Sequence, residues 1–153
     1  MGEESEGGGA TRLALIQLAE ALLQHYNVTR PPVPVEQMLK DPPNGLGGID
    51  SSRISFIMEH GLYCYEPRLS MARLLCREIA RSRAVQGSFG IEVSSYSYDD
   101  LKFFARCLMM PAGWVQTMAW QKLSVEEISD ELQAPLYSVV TRLAELGLPV
   151  PGV

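Results

Sequence analysis

Metal-binding side chains are scarce in this sequence, which has three cysteines and two histidines in 153 residues. Cys64, Cys76 and Cys107 form no CxxC pair, which argues against a zinc ribbon or a thioredoxin-like dithiol. Each lies among apolar neighbours and reads as a small buried hydrophobe. His25 sits near a predicted helix end and His60 in a predicted turn, so two scattered imidazoles offer little to a metal site. A basic surplus is also missing. The formal charge is −5, which argues against a general nucleic-acid binder, since phosphate contacts need Lys or Arg. No apolar run approaches the ~20 residues of a membrane span. "MGEESEGGGA" at the start has no basic region followed by an apolar run, so no signal peptide is predicted. The expectation is a soluble, cytoplasmic protein in which the "NVT" sequon at Asn27 carries no weight.

What is present is an ordinary globular composition, 46% apolar and 20% charged, in a length that fits one domain with a real core. Residues 1–10 are acidic and Gly-rich and are expected to be disordered. The domain is read over 11–153. "TRLALIQLAEALLQHYNV" opens it as a helix capped by Thr11, with Leu15, Leu18, Leu22 and Tyr26 at helical spacing. Pro31, Pro32 and Pro34 then force an extended entry into a short helix over 35–40. After a turn-rich stretch, "RISFIM" and "LYCYE" read as two strands with "EHG" as the hairpin turn between them.

"RLSMARLLCREIARS" follows as an amphipathic helix. Its arginines Arg73, Arg77 and Arg81 recur every fourth residue and so form one drifting stripe. "AVQGSFGIEVSSYSY" reads as a loop with one short strand. "DDLKFFARCLMMP" is a helix starting at Asp99 or Asp100 and stopped by Pro111, and "AGWVQTMAWQK" is another. "SVEEISDEL" opens with a capping box, Ser124 with Glu127. "PLYSVVTRLAELG" is the last helix, closed by Gly147. The predicted class is α+β and mainly helical, with a small β-hairpin and a C-terminal helix-turn-helix-like pair.

Taken in order, "ALLQHYNVTRPPVPVEQML", "RLSMARLLCREIA", "FFARCLMMP" and "LSVEEISDELQAPLYSVVTRLAELGL" resemble the ImmA/IrrE family of zincin-like metallopeptidases over residues 12 to 148. In that family the helix after the hairpin carries a zinc motif in which two His at i and i+4 face one metal and a Glu polarises its water. Here the framework stands as Arg68, Leu69, Ser70, Met71 and Ala72. The resemblance then places Arg73 at the first His position, Leu74 at the Glu and Arg77 at the second His. The family's third, carboxylate ligand falls at about Tyr98, with Asp99 and Asp100 beside it.

Arginine has donors only and stays protonated, so it cannot ligate a cation. Leucine cannot act as a general base. The resemblance therefore implies a degenerate member without a catalytic residue, metal or other cofactor. It would act by binding a protein or peptide, and helix-turn-helix repressors are the substrates of active relatives. Arg73 and Arg77 are expected either to pair with Asp99 or Asp100 across helices or to line a cleft for a carboxylate or phosphate. Two alternatives come from other classes. One is a DNA-binding regulator reading through Tyr137, Ser138, Thr141 and Arg142; the acidic residues around that helix and its single basic member count against it. The other is a metallopeptidase with a relocated metal site at His25, His60 or the aspartates.

Overall fold

The computed structural model describes residues 2–43, 46, 64–93 and 95–152, with backbone only for 2–10. Eight helices occur among the described residues: α1 (Gly2–His25), α2 (Val35–Lys40), α3 (Glu66–Ala80), α4 (Arg83–Phe89), α5 (Tyr98–Met109), α6 (Ala112–Trp120), α7 (Val125–Leu132) and α8 (Leu136–Glu145). The mainly helical expectation holds, and no strand occurs among the described residues.

The hairpin falls on residues 53–66, of which 53–63 lie outside the described residues. Its last part is corrected: Cys64 and Tyr65 form a turn and Glu66 opens α3 instead of ending a strand. Pro67 explains the change. In the first turn of a helix its missing N–H costs nothing, and its fixed φ suits the start. Glu66 adds a negative charge at the positive end of the helix dipole. A second correction concerns 84–98, where the loop with a short strand is in part a helix. Ser82 Oγ accepts the N–H of Val85 at 3.3 Å, and Gly90 ends α4 at φ 68°, a left-handed conformation that glycine adopts without a Cβ clash. The helical backbone of α1 starts at Gly2, so Thr11 is an interior residue and not the cap; the segment read as a disordered tail continues that helix as backbone.

The core forms where α5 packs against both α1 and α3. Leu15, Leu18 and Leu22 of α1 are fully buried, as their spacing requires. They join Leu75 and Ile79 of α3 and Phe104 and Leu108 of α5 in one apolar cluster. Burial of each such side chain contributes about 1.5–3 kcal/mol. Helix α2 lies on α3, and α7 and α8 pack as a pair. The start of α7 is the expected capping box: Ser124 Oγ accepts the Glu127 N–H at 3.0 Å, and Glu127 accepts the Ser124 N–H at 3.0 Å.

Candidate functional site

The arginine helix α3 is buried on several sides, and its sequence decides which residues reach the surface. Leu69, Ala72, Leu75, Cys76 and Ile79 are turned into the core, leaving Arg73 and Arg77 partly exposed. Leu74, at the position where the resemblance would put a Glu, is itself core, at 5% exposure.

Arg73 Nη2 donates to Ser70 Oγ at 2.8 Å and lies 3.7 Å from Glu66 Oε1. Its guanidinium carbon is 5.9 Å from the centre of the Tyr98 ring, at the edge of cation–π range. Arg73 and Tyr98 are therefore neighbours across α3 and α5.

The expected ion pairs from Arg73 and Arg77 to Asp99 and Asp100 do not form. Asp100 is occupied at the start of α5, where Oδ2 accepts the N–H of Ser97 at 2.7 Å and Ser97 Oγ accepts the Asp100 N–H at 3.1 Å. Asp99 is 84% exposed and pairs with Lys102 Nζ at 3.2 Å, one turn along its own helix. The sequence placed both carboxylates at a helix start but could not show that the cap would take Asp100 and that Lys102 would take Asp99.

Tyrosines close the contact between α3 and the C-terminal pair instead. Tyr137 Oη donates to the Glu66 carboxylate, and Tyr65 Oη donates to Asp130 Oδ1 at 3.1 Å. Partial burial, then the Glu66 carboxylate, hold the Tyr137 phenol above its ordinary pKa, while Arg73 pulls it down. A cavity of about 40 Å³ lies where α3, α5 and α8 meet, bounded by Leu69, Arg73, Lys102, Arg106, Tyr137 and Thr141 among others.

One functional-looking residue takes a different role from its sequence reading. Arg142, the only cation of the supposed DNA-reading set, is 6% exposed. Its Nε donates to the Met110 carbonyl at 2.9 Å, and Nη1 lies 3.8 Å from Glu145 Oε1. Arg106 holds the same carboxylate through two parallel bonds, Nε to Oε1 at 2.9 Å and Nη2 to Oε2 at 2.8 Å. Ser138 is buried as well and donates to the Pro135 carbonyl at 2.7 Å. The cation that DNA backbone contacts would need is thus spent inside the protein. Sequence reading missed this Arg106–Glu145–Arg142 cluster. The available signal was Arg142 standing beside Leu143 on the apolar edge of its helix.

The donor set does not fit the zinc that the resemblance implies. Two guanidinium groups and a buried leucine stand where the resemblance would place ligands and base, and among the described residues no group of three or more His, Cys, Asp or Glu side chains is placed to hold a metal. His25 packs edge-on against Tyr26 and Phe89, with ring centres 4.8 and 5.7 Å away. His60 lies outside the described residues. No helix among the described residues is long and apolar enough to cross a membrane. Comparison with family models, curated proteins and solved structures finds no match to this chain.

Proposed function

We propose that the chain is a catalytically inactive metallopeptidase-like domain of ImmA/IrrE type that acts by binding a protein, with a helix-turn-helix regulator as the partner class. The observation that carries this reading is the identity of Arg73, Leu74 and Arg77 on an otherwise framework-like helix. Permanent cations replace both imidazoles, so a zinc ion would be repelled from the place where it would activate water. The proximity of Arg73 and Tyr98 supports the reading, because the family's first and third ligands must also meet across these two helices. The burial of Leu74 supports it further, since the base position has become packing.

The test is to incubate the full chain with a helix-turn-helix repressor in the presence of zinc. Size-exclusion chromatography follows complex formation, and intact-mass spectrometry follows the repressor. A stable complex with an uncut repressor is expected. Zinc-dependent fragments would show an active peptidase, and the absence of any complex would remove the binding role.

A further inference from the structure

We infer that the cavity between α3, α5 and α8 is a receptor for one acidic side chain of a protein partner, and that the outward face of α8 is the surface on which that partner rests. The inference rests on the binding-protein reading above and adds the chemistry that would recognise the partner.

Charge is the first observation. Arg73, Lys102 and Arg106 line the cavity, and Arg142 stands behind Arg106 on the shared Glu145. The carboxylates paired with these four cations are Glu66, Asp99 and Glu145. Asp99 lies almost wholly in water, where its attraction is weak, and Glu145 is divided between two guanidinium groups. The neighbourhood is therefore short of negative charge.

Donor geometry is the second. Arginine has five N–H donors. Arg73 uses Nη2 toward Ser70 and Glu66, and Arg106 uses Nε and Nη2 toward Glu145. Nε and Nη1 of Arg73 and Nη1 of Arg106 are not engaged in these contacts. The Ser138 and Thr141 hydroxyls already donate to the Pro135 and Tyr137 carbonyls, at 2.7 and 3.0 Å. Recognition of an incoming anion thus falls to the cations. Charge-assisted bonds of this kind are among the stronger polar contacts.

Size is the third. About 40 Å³ admits one small group, close to the ~30 Å³ share of a water molecule in the liquid. A carboxylate head fits, whereas a nucleotide or a sugar does not. The exposed apolar side chains on the same helices then indicate the kind of molecule that carries the carboxylate. Leu136, Tyr137 and Val140 on α8 are 48%, 51% and 39% exposed, and Tyr98 on α5 is 59% exposed. Leu136 and Val140 are one helical turn apart, and Tyr137 and Tyr98 flank Arg73. An apolar strip beside a cationic hole suits a protein segment with an apolar face and one Asp or Glu within reach.

The test is a nuclear magnetic resonance titration of the full chain, following the Arg Nε–Hε signals and the backbone amides of α8. The probe is N-acetyl-glutamic acid amide, with N-acetyl-glutamine amide as its neutral isostere and inorganic phosphate as a third arm. Saturable shifts at Arg73, Arg106 and Thr141 are expected with the Glu compound and not with the Gln compound. Arg73→Ala and Lys102→Gln should each weaken that binding at least fivefold; Lys102 is half-exposed, so its variant keeps the fold and guards against misreading an unfolded Arg73→Ala. Equal responses to the two compounds, tighter binding of phosphate than of the Glu compound, or no saturable shift would overturn the inference. These outcomes are separate from the repressor experiment. A complex that forms equally well with Lys102→Gln and Arg73→Ala keeps the binding role and removes the receptor.

Discussion

Helix α5 meets arginines at both ends, and the two ends are built differently. Toward its C-terminus, Arg106 grips Glu145 with paired bonds of 2.8 and 2.9 Å, and Arg142 is buried against the same carboxylate and the Met110 carbonyl. Toward its N-terminus, Arg73 keeps a looser 3.7 Å approach to Glu66 and an edge-of-range contact with Tyr98, while Lys102 shares an exposed pair with Asp99. The same type of side chain serves two ends. Arg142, buried against Met110 and Glu145, only fastens α8 to α5. Arg73, with donors left over beside the cavity, remains able to receive a ligand, and Arg106 holds Glu145 while also lining the cavity. In sequence the two kinds of arginine look alike.

Removing Glu145 should separate the ends most sharply. Glu145→Ala leaves two largely buried guanidinium groups without their carboxylate, and breaking such a pair costs about 3–5 kcal/mol. Urea unfolding should show that loss, and a cost near zero would mean the cluster is not structural.

Alkaline pH offers a second probe. Burial pushes the Cys107 thiol up to about 11 and the Cys76 thiol up to about 12, from an ordinary 9.0. The folded chain therefore holds these protons after the unfolded chain has released them. Their stabilising contribution is full below about pH 9 and falls as pH rises, by ~1.4 kcal/mol per pH unit for each group until its folded pKa is reached. Cys64, expected to be buried like the other two, is exposed in the turn before α3, so thiol alkylation at pH 8 should mark Cys64 and spare Cys76 and Cys107. Rapid labelling of Cys107 would show that the C-terminal end of α5 is open.

The looser end should yield less. Tyr137→Phe removes the hydroxyl that donates to Glu66 and should cost about 1 kcal/mol in the same unfolding measurement. Arg73→Ala should cost ~1 kcal/mol or less, as for a partly solvated pair. A loss from Arg73→Ala as large as that from Glu145→Ala would erase the distinction between the ends.

Much of this arrangement was legible in the sequence. The 3.6-residue spacing of Leu15, Leu18 and Leu22 marked the buried face of α1, and the Ser124–Glu127 capping box marked the start of α7. Both are local signals, carried within one or two turns. The stripe of Arg73 and Arg77 was visible for the same reason. What the sequence could not supply was partnership between distant residues. Asp100 turns to the cap at Ser97 and makes no ion pair with Arg77, and Glu66 is met by Tyr137 from 71 positions away. Helix α4 escaped notice because Gly87 and Ser88 lower helix propensity within a short run. The structure holds it by tertiary means: the Gln86 amide donates to the Ile79 and Ala80 carbonyls at 3.0 Å and accepts the Val93 N–H at 2.8 Å.

The most direct measurement concerns the proposal that Arg73 and Arg77 leave α3 unable to hold a metal. Zinc content should be determined by plasma mass spectrometry on the full chain, purified without chelator and dialysed against micromolar zinc, alongside Tyr98→Ala, Asp99→Ala and Asp100→Ala variants. The account predicts well under one zinc per chain in all four proteins. One zinc per chain in the native sequence, lost on changing Tyr98, Asp99 or Asp100, would contradict it.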